Sequence, residues 1–330
     1  MTLYTELSDI PADFGPSVVT IGNFDGVHIG HTRVISRVVE LAEEHGLASV
    51  AVSFDPHPMQ VHHPELMHQE IMGQGSRRYF MCQLGLQNYV LLHYDLEFAK
   101  QSPEEFVKSV FVDTLHARYV VIGDDVRFGH RNSGDLNTMR ELGEQYGFEV
   151  VVVDDLMADD GTRCSSTRIR ELLNTGDMEG AARLLGRPHL MYGEVVHGLA
   201  RGRELGFPTA NLCNDIEGVV PGDGVYAGWL VRHIGDGGAA EFLPAAISVG
   251  TNPQFDGEVR TVEAHVLGRS DLNLYGENVS IMFVSRIRPM ESFESLDALL
   301  SQMDEDLRIS AYVLGVGVPT RVDPKAVTAR

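Results

Sequence analysis

With 330 residues, the chain is long enough for two domains of ordinary size, each able to bury its own core. It carries 26 Lys+Arg against 47 Asp+Glu, a formal net charge of −21, and a surface this acidic repels nucleic-acid phosphate and anionic membranes. No stretch approaches the roughly 18 uninterrupted apolar residues of a membrane span, and Met1-Thr2-Leu3-Tyr4-Thr5-Glu6 lacks the pattern of a signal peptide. The cysteines Cys82, Cys164 and Cys213 are scattered and odd in number, which argues against a disulfide framework or a cysteine zinc site. The expectation is a cytoplasmic protein, monomeric or a weak homo-oligomer, whose partners are small molecules and neither nucleic acid nor membrane. Any nucleotide must then be met by a local cluster of donors.

The first half alternates strand-like and helix-like segments. Val18-Val19-Thr20-Ile21 is a short β-branched run. From Gly30 to His45 the residues Val34, Ile35, Val38, Val39, Leu41 and Ala42 follow helical spacing, and Gly46 supplies a stop. Leu47 to Phe54 reads as a strand halted by Asp55-Pro56-His57-Pro58. Tyr119 to Ile122 and Phe148 to Val153 read as two more, with a helix between Ser133 and Tyr146. Strands separated by helices imply an α/β, doubly wound parallel sheet, whose ligand site lies at the carboxyl ends of the strands. A helical segment ends near Leu185, where Gly186-Arg187-Pro188 breaks the pattern. From Tyr192 to about Ile287, short β-forming runs punctuated by glycine and proline predict an antiparallel barrel or sandwich. A helix from Ser295 to Leu307 and a poorly ordered tail from Gly315 to Arg330 complete the chain. The boundary is placed near residue 187, giving domains 1–187 and 188–330.

The strand at 18–21 runs into Gly22-Asn23-Phe24-Asp25-Gly26-Val27-His28-Ile29-Gly30-His31 and then into the helix. Glycines at 22, 26 and 30 let the backbone approach a ligand, and the helix start offers unpaired N–H groups at the positive end of its dipole. His28 and His31 share a face of the first turn, where two imidazoles can donate to phosphate oxygens whose charge grows during nucleotidyl transfer. A tight turn with two incidental histidines is the alternative. His62, His63 and His68 follow a proline-broken loop and read as surface.

The full string resembles the G-x-F-D-G-x-H-x-G-H motif of H-x-G-H nucleotidyltransferases, specifically the FAD synthetase module of bacterial bifunctional riboflavin kinase/FAD synthetases. Three further stretches resemble that family. Ser53 to Pro58 is similar to its T-F-D-P-H-P loop. Gly123-Asp124-Asp125-Val126-Arg127-Phe128-Gly129 with Gly134-Asp135 is similar to its G-x-N-F-x-F-G…G-D segment. Ser165-Ser166-Thr167-Arg168-Ile169-Arg170 is similar to its S-S-T-x-[IV]-R motif. Asp125-Val126 departs from the usual Asn-Phe, and Leu92-His93-Tyr94-Asp95 from a proline-phenylalanine pair. The resemblance implies phosphate contacts from Gly22, Phe24, Asp25, Gly26 and Gly30, with His28 and His31 catalytic. It also implies a second clamp from Ser165, Ser166, Thr167, Arg168 and Arg170, and flavin contacts from Asp55, Pro56, His57, Pro58, Asp125 and Phe128. An ordinary helix cap followed by solvated arginines also accounts for 165–170.

The second half carries Gly193-Glu194-Val195-Val196-His197-Gly198 and then Arg201-Gly202-Arg203-Glu204-Leu205-Gly206-Phe207-Pro208-Thr209-Ala210-Asn211. A glycine-rich, arginine-bearing loop ahead of a strand can wrap a nucleotide. Thr209 and Asn211 are two apart and face the same way on an extended segment, offering hard oxygen ligands suited to Mg²⁺. Glu263 and His265 likewise share one side of a strand, where a carboxylate can accept the proton of an attacking hydroxyl; taken alone, such a pair is usually a solvated face. These residues resemble the riboflavin kinase module, with its R-G-R-x-L-G-F-P-T-A-N, P-x-x-G-V-Y, G-x-x-P-x-F and E-x-H signatures, here at 201–211, 221–226, 250–255 and 263–265. The resemblance implies ATP held by Gly198, Arg201, Gly202 and Arg203, Mg²⁺ by Thr209 and Asn211, and Glu263 as base, with Phe207, Tyr226 and Phe255 beside the flavin. The expected reactions are riboflavin to FMN and FMN to FAD, each with ATP and Mg²⁺. A kinase with an impaired first module, or a flavin-binding regulator built on a dead enzyme, are the other readings.

Overall fold

The structure is a computed structural model that describes residues 1–66, 68–154, 161, 163–198, 205–234, 239–251 and 260–319. Arg201, Gly202, Arg203 and Phe255, with most of the predicted tail, lie outside the described residues. Two compact units emerge: Met1–Gln69 with Gln74–Ser165, and Glu70–Gly73 with Ser166 onward.

The first unit is built on strands β1 (Thr2–Tyr4), β2 (Ser17–Ile21), β3 (Ala48–Asp55), β4 (Asn88–His93), β5 (Ala117–Gly123) and β6 (Glu149–Val153), all parallel, in the order β1-β4-β3-β2-β5-β6. Helices α1 (Ile29–His45), α2 (Pro58–His62), α3 (Gln74–Gln83), α4 (Pro103–Phe106) and α5 (Leu136–Tyr146) connect them. The predicted strands are all present. The apolar spacing of α1 buries Ile35, Val38, Leu41 and Ala42, and each fully buried large side chain there contributes about 1.5–3 kcal/mol. Gly46 ends α1 at φ +64, returning its N–H to Ala42 and Glu43. Helix α5 starts later than its pattern predicts, because Asp135 caps it by accepting from the Thr138 N–H while Phe128 bridges Gly134 in the turn before it. Strands β1 and β4 carry no periodic signal strong enough to announce them: β1 is three residues long, and β4, buried at Asn88, Tyr89 and Val90, lacks alternation.

The second unit is a closed barrel of β7 (His189–Val196), β8 (Ala210–Leu212), β9 (Gly224–Ile234), β10 (Ala239–Thr251), β11 (Arg260–Val266) and β12 (Asn278–Arg288), in the order β10-β11-β8-β7-β12-β9 with antiparallel pairing throughout. Leu230, Ile247, Val249, Val262, Ala264, Ile281 and Phe283 fill its interior at 0% exposure. Helices α6 (Ser166–Thr175) and α7 (Met178–Leu185) belong to this unit. They are fastened by Gly222 N–H donating to Leu173 O (3.0 Å) and Arg286 to Thr175 O (3.2 Å). The division therefore falls at Ser165, ahead of the break at 186–188. Helix α8 (Leu296–Leu314) starts where its pattern predicts, capped by Ser295 accepting from the Ala298 N–H, and runs past the expected end at Leu307, because small buried Ser310 and Ala311 continue its inner face where large apolar residues stop.

Candidate active sites

In the first unit the chain runs outward from β2 to β3 and β4, then crosses back to β5 and β6. The switch point lies between β2 and β5, and doubly wound sheets bind ligands at the carboxyl ends there. The loop Gly22–Val27 leaves β2 at that place and the segment Gly123–Phe128 leaves β5 beside it. Phe24 (φ +49) and Val27 (φ +38) adopt the left-handed region alongside Gly26 (φ +83). Such conformations cost on the order of 1–3 kcal/mol each for residues with a Cβ. Both side chains are buried, which holds the turn. Asp25 is buried with it, its Oδ1 3.6 Å from Nη2 of the fully buried Arg77 on α3.

That turn delivers His28 as the cap of α1. Its Nδ1 accepts from the His31 N–H at 3.2 Å, so in the neutral ring the proton resides on Nε2. The His28 and His31 rings stack with centroids 3.6 Å apart and 15° between planes, and Phe24 meets His31 edge-on at 5.4 Å. The two imidazoles thus stand as one pair at the mouth of the α1 N-terminus, as their spacing predicts.

The other predicted segments of this unit take several places. Ser53 donates to Asn23 O at 3.4 Å, tying the end of β3 to the β2 loop. Asp55–Pro56 is cis. His57 is buried and caps α2, its Nδ1 accepting from Met59 N–H (3.1 Å) with its ring stacked on His68 at 4.3 Å. Phe128 is also buried, packed near Phe106. Asp125 is exposed and ion-paired with Arg163, so the carboxylate standing in for the family's asparagine meets a cation of its own unit. Ser165 ends this unit. Ser166, Thr167, Arg168 and Arg170 open α6 in the other, where Arg168 pairs with Glu171 at 2.9 Å.

In the barrel, β8 pairs with β11 so that Asn211 stands directly across from Glu263, and with β7 so that it stands across from Val196. Thr209 Oγ1 donates to Glu263 Oε2 at 3.2 Å, and Asn211 Nδ2 donates to Thr209 Oγ1 at 3.3 Å. A hydroxyl, an amide and a carboxylate thus converge, and with Nδ2 engaged the Asn211 Oδ1 is the acceptor left on that side chain. These are the hard oxygens a magnesium ion takes. Gly198 closes against them: a Cβ there would lie 2.6 Å from Asn211 Cγ, Nδ2 and Oδ1. His265 is buried and donates from Nδ1 to Pro208 O (2.8 Å), fixing the segment that carries Thr209. Burial holds its pKa down despite that bond. Beside Thr209 opens a cleft lined by Val195, Pro208, Leu272, Leu274 and Tyr275, with His197 stacked on Tyr275 at 3.8 Å. Phe207 (1% exposed) and Tyr226 (0%) are interior. Phe207 lies edge-on to His265 and packs with Leu307 and Ala311, while the Tyr226 hydroxyl donates to Gly222 O.

Arg77 and Arg163 escape the sequence reading. The signal for Arg77 is that it precedes Met81 by four residues, placing an arginine on the buried face of α3.

Comparison with known proteins agrees with this division of labour. The family model described as FAD synthetase matches residues 10–168, and the one described as riboflavin kinase matches 185–314. The bifunctional riboflavin kinase/FMN adenylyltransferase of Escherichia coli (strain K12) is 31% identical over 302 residues, 92% of this chain and 94% of that protein. Its counterpart from Haemophilus influenzae is 32% identical, covering 88% of this chain and 91% of its own. A Streptococcus pneumoniae structure described as a macrolide-efflux protein superposes with a TM-score of 0.83 at 30% identity, covering 94% and 98% of the two chains. Among the described residues of this chain no helix is long and apolar enough to cross a membrane. On both of its units and nearly its full length, the chain belongs to the family of bifunctional riboflavin kinase/FMN adenylyltransferases.

Proposed function

We propose that the barrel phosphorylates riboflavin to FMN and that the N-terminal unit adenylylates FMN to FAD, each with ATP. The carrying observation is the hydrogen-bonded set Thr209–Asn211–Glu263 on adjacent strands, since a pure binder has no need of a carboxylate held against the metal ligands. In the first reaction the riboflavin 5′-oxygen forms a bond to the ATP γ-phosphorus as the bond to the β-bridging oxygen breaks, releasing ADP. Glu263 takes the hydroxyl proton. Thr209 and Asn211 would hold Mg²⁺, which neutralises charge on the phosphates when bound. Gly198, with Arg201, Gly202 and Arg203, cradles the nucleotide.

In the second reaction an FMN phosphate oxygen attacks the ATP α-phosphorus and pyrophosphate leaves. His28 and His31, donating at the start of α1 with the backbone of Gly22–Gly30, stabilise the charge that grows on the transferred phosphate. Mg²⁺ is assigned to this reaction too, where the ATP phosphates would supply most of its ligands. We assign Ser165–Arg170 to the same reaction as a second phosphate clamp, and residues 55–58, Asp125 and Phe128 to the flavin side. By function we assign residues 1–187 to adenylylation and 188–330 to phosphorylation, so that α6 and α7, although they pack in the barrel unit, are counted with the adenylylation motif at 165–170 that opens α6.

Separate variants test the division. Glu263→Gln should lose riboflavin phosphorylation by on the order of 100-fold or more, the usual worth of a general base, while still converting supplied FMN to FAD. His31→Ala should do the reverse. FMN synthesis near wild type in Glu263→Gln would refute the base assignment.

A further inference from the structure

Arginine is almost never fully buried without a partner, yet Arg77 is 0% exposed and faces Asp25, itself 1% exposed, at 3.6 Å. A buried ion pair is weak grounds for stability, because well-packed apolar residues of similar volume serve as well or better. What the pair supplies is a fixed point. Asp25 sits between Phe24 and Gly26 in the one stretch of the β2 loop where three of four residues, Phe24, Gly26 and Val27, have positive φ, and strained backbone of this kind persists only where its surroundings over-determine it. His28 follows directly, capping α1 through His31.

We propose that Arg77 is a positioning residue for adenylyl transfer: by gripping Asp25 from α3 it holds the Phe24–Val27 turn, and with it the His28–His31 pair, in the geometry that meets the phosphate. The assignment rests on reading the N-terminal unit as the adenylyltransferase. Both charged side chains are buried, so the pair acts on the reaction through the turn it holds, whose backbone and histidines meet the phosphate.

The test uses the full chain, assayed in one preparation for FMN→FAD and for riboflavin→FMN. The informative variant is Arg77→Met combined with Asp25→Asn, which removes both charges and strands neither in the interior. It should melt within a few degrees of wild type and phosphorylate riboflavin at the wild-type rate. Its kcat for adenylylation should fall about 10- to 100-fold, the scale set by sub-ångström to ångström misplacement of catalytic groups, with KM for FMN within about threefold. Arg77→Lys, which keeps the charge, should recover most of the rate. Wild-type adenylylation in the double variant would overturn the proposal and leave the pair a packing feature. So would an equal loss of both activities, or a loss confined to KM. Failure of the wild-type chain to make FAD from FMN would instead remove the underlying reading, and the assignment with it.

Discussion

Replacing Gly198 with alanine would place a Cβ 2.6 Å from three atoms of the Asn211 amide. Ordinary carbon contacts lie near 3.5 Å, so that amide must retreat by about 1 Å. The retreat breaks the Asn211–Thr209 hydrogen bonds of 3.3–3.4 Å and shifts the Oδ1 assigned to the metal. Misplacement on this scale costs on the order of 10- to 100-fold, or about 1.4–2.7 kcal/mol of transition-state stabilisation. The fold is affected less, since the segment after β7 gains from the lower chain entropy of alanine roughly what the shifted amide loses. The assay is steady-state riboflavin phosphorylation against Mg²⁺ concentration, with FMN adenylylation in the same sample as internal reference. A kcat/KM for phosphorylation within twofold of wild type, at unchanged Mg²⁺ requirement, would refute the assignment of Asn211.

His189 is buried, its Nε2 2.7 Å from Val219 O, and burial pushes its pKa from 6.5 down to about 4. The unfolded chain therefore takes up a proton as pH falls through 6.5 while the folded chain does not, so stability is full above 6.5 and declines towards 4. Between about pH 7 and pH 5 this amounts to roughly 2 kcal/mol, and urea titrations should show a shallower decline in His189→Gln. Asp306 receives Arg288 in two bonds (2.8 and 2.7 Å) and is 6% exposed, anchoring α8 to β12. Asp306→Ala strands that arginine and should destabilise by about 3–5 kcal/mol in the same titration. The Arg163–Asp125 pair is exposed and should add no more than about 1 kcal/mol to stability. Arg163→Gln, which leaves the Asp125 carboxylate unpaired on the flavin side, should instead raise KM for the anionic FMN in adenylylation several-fold at low salt, an effect that shrinks near 1 M salt where screening acts within about 3 Å.

Much of this was legible in the residues because local and global signals coincide. The apolar rows of α1, the β-branched run of β2 and the glycines between them each demand the same strand–loop–helix, and the histidine spacing follows. Thr209, Asn211 and Glu263 were readable as same-side pairs from strand alternation, although their meeting depends on the β8–β11 register, which no local pattern encodes. Phe207 and Tyr226, expected beside the flavin, are both buried, Phe207 ahead of β8 against Leu307 and Ala311 of α8 and Tyr226 within β9, and this packing is tertiary, with no local pattern to encode it. The affiliation of α6 and α7 rests on tertiary bonds such as Arg286 to Thr175, far apart in sequence. Arg77 and Arg163 were silent because an arginine's partner is decided by packing.

The most direct test of the central claim is a time course of the purified chain with riboflavin, ATP and Mg²⁺, separating riboflavin, FMN and FAD by chromatography. FMN should rise first and FAD should follow at its expense, with one pyrophosphate released per FAD. FMN that accumulates without FAD would contradict adenylyl transfer at His28 and His31. Neither product from a folded, flavin-binding sample would contradict both sites and leave a binding protein on an enzyme's scaffold.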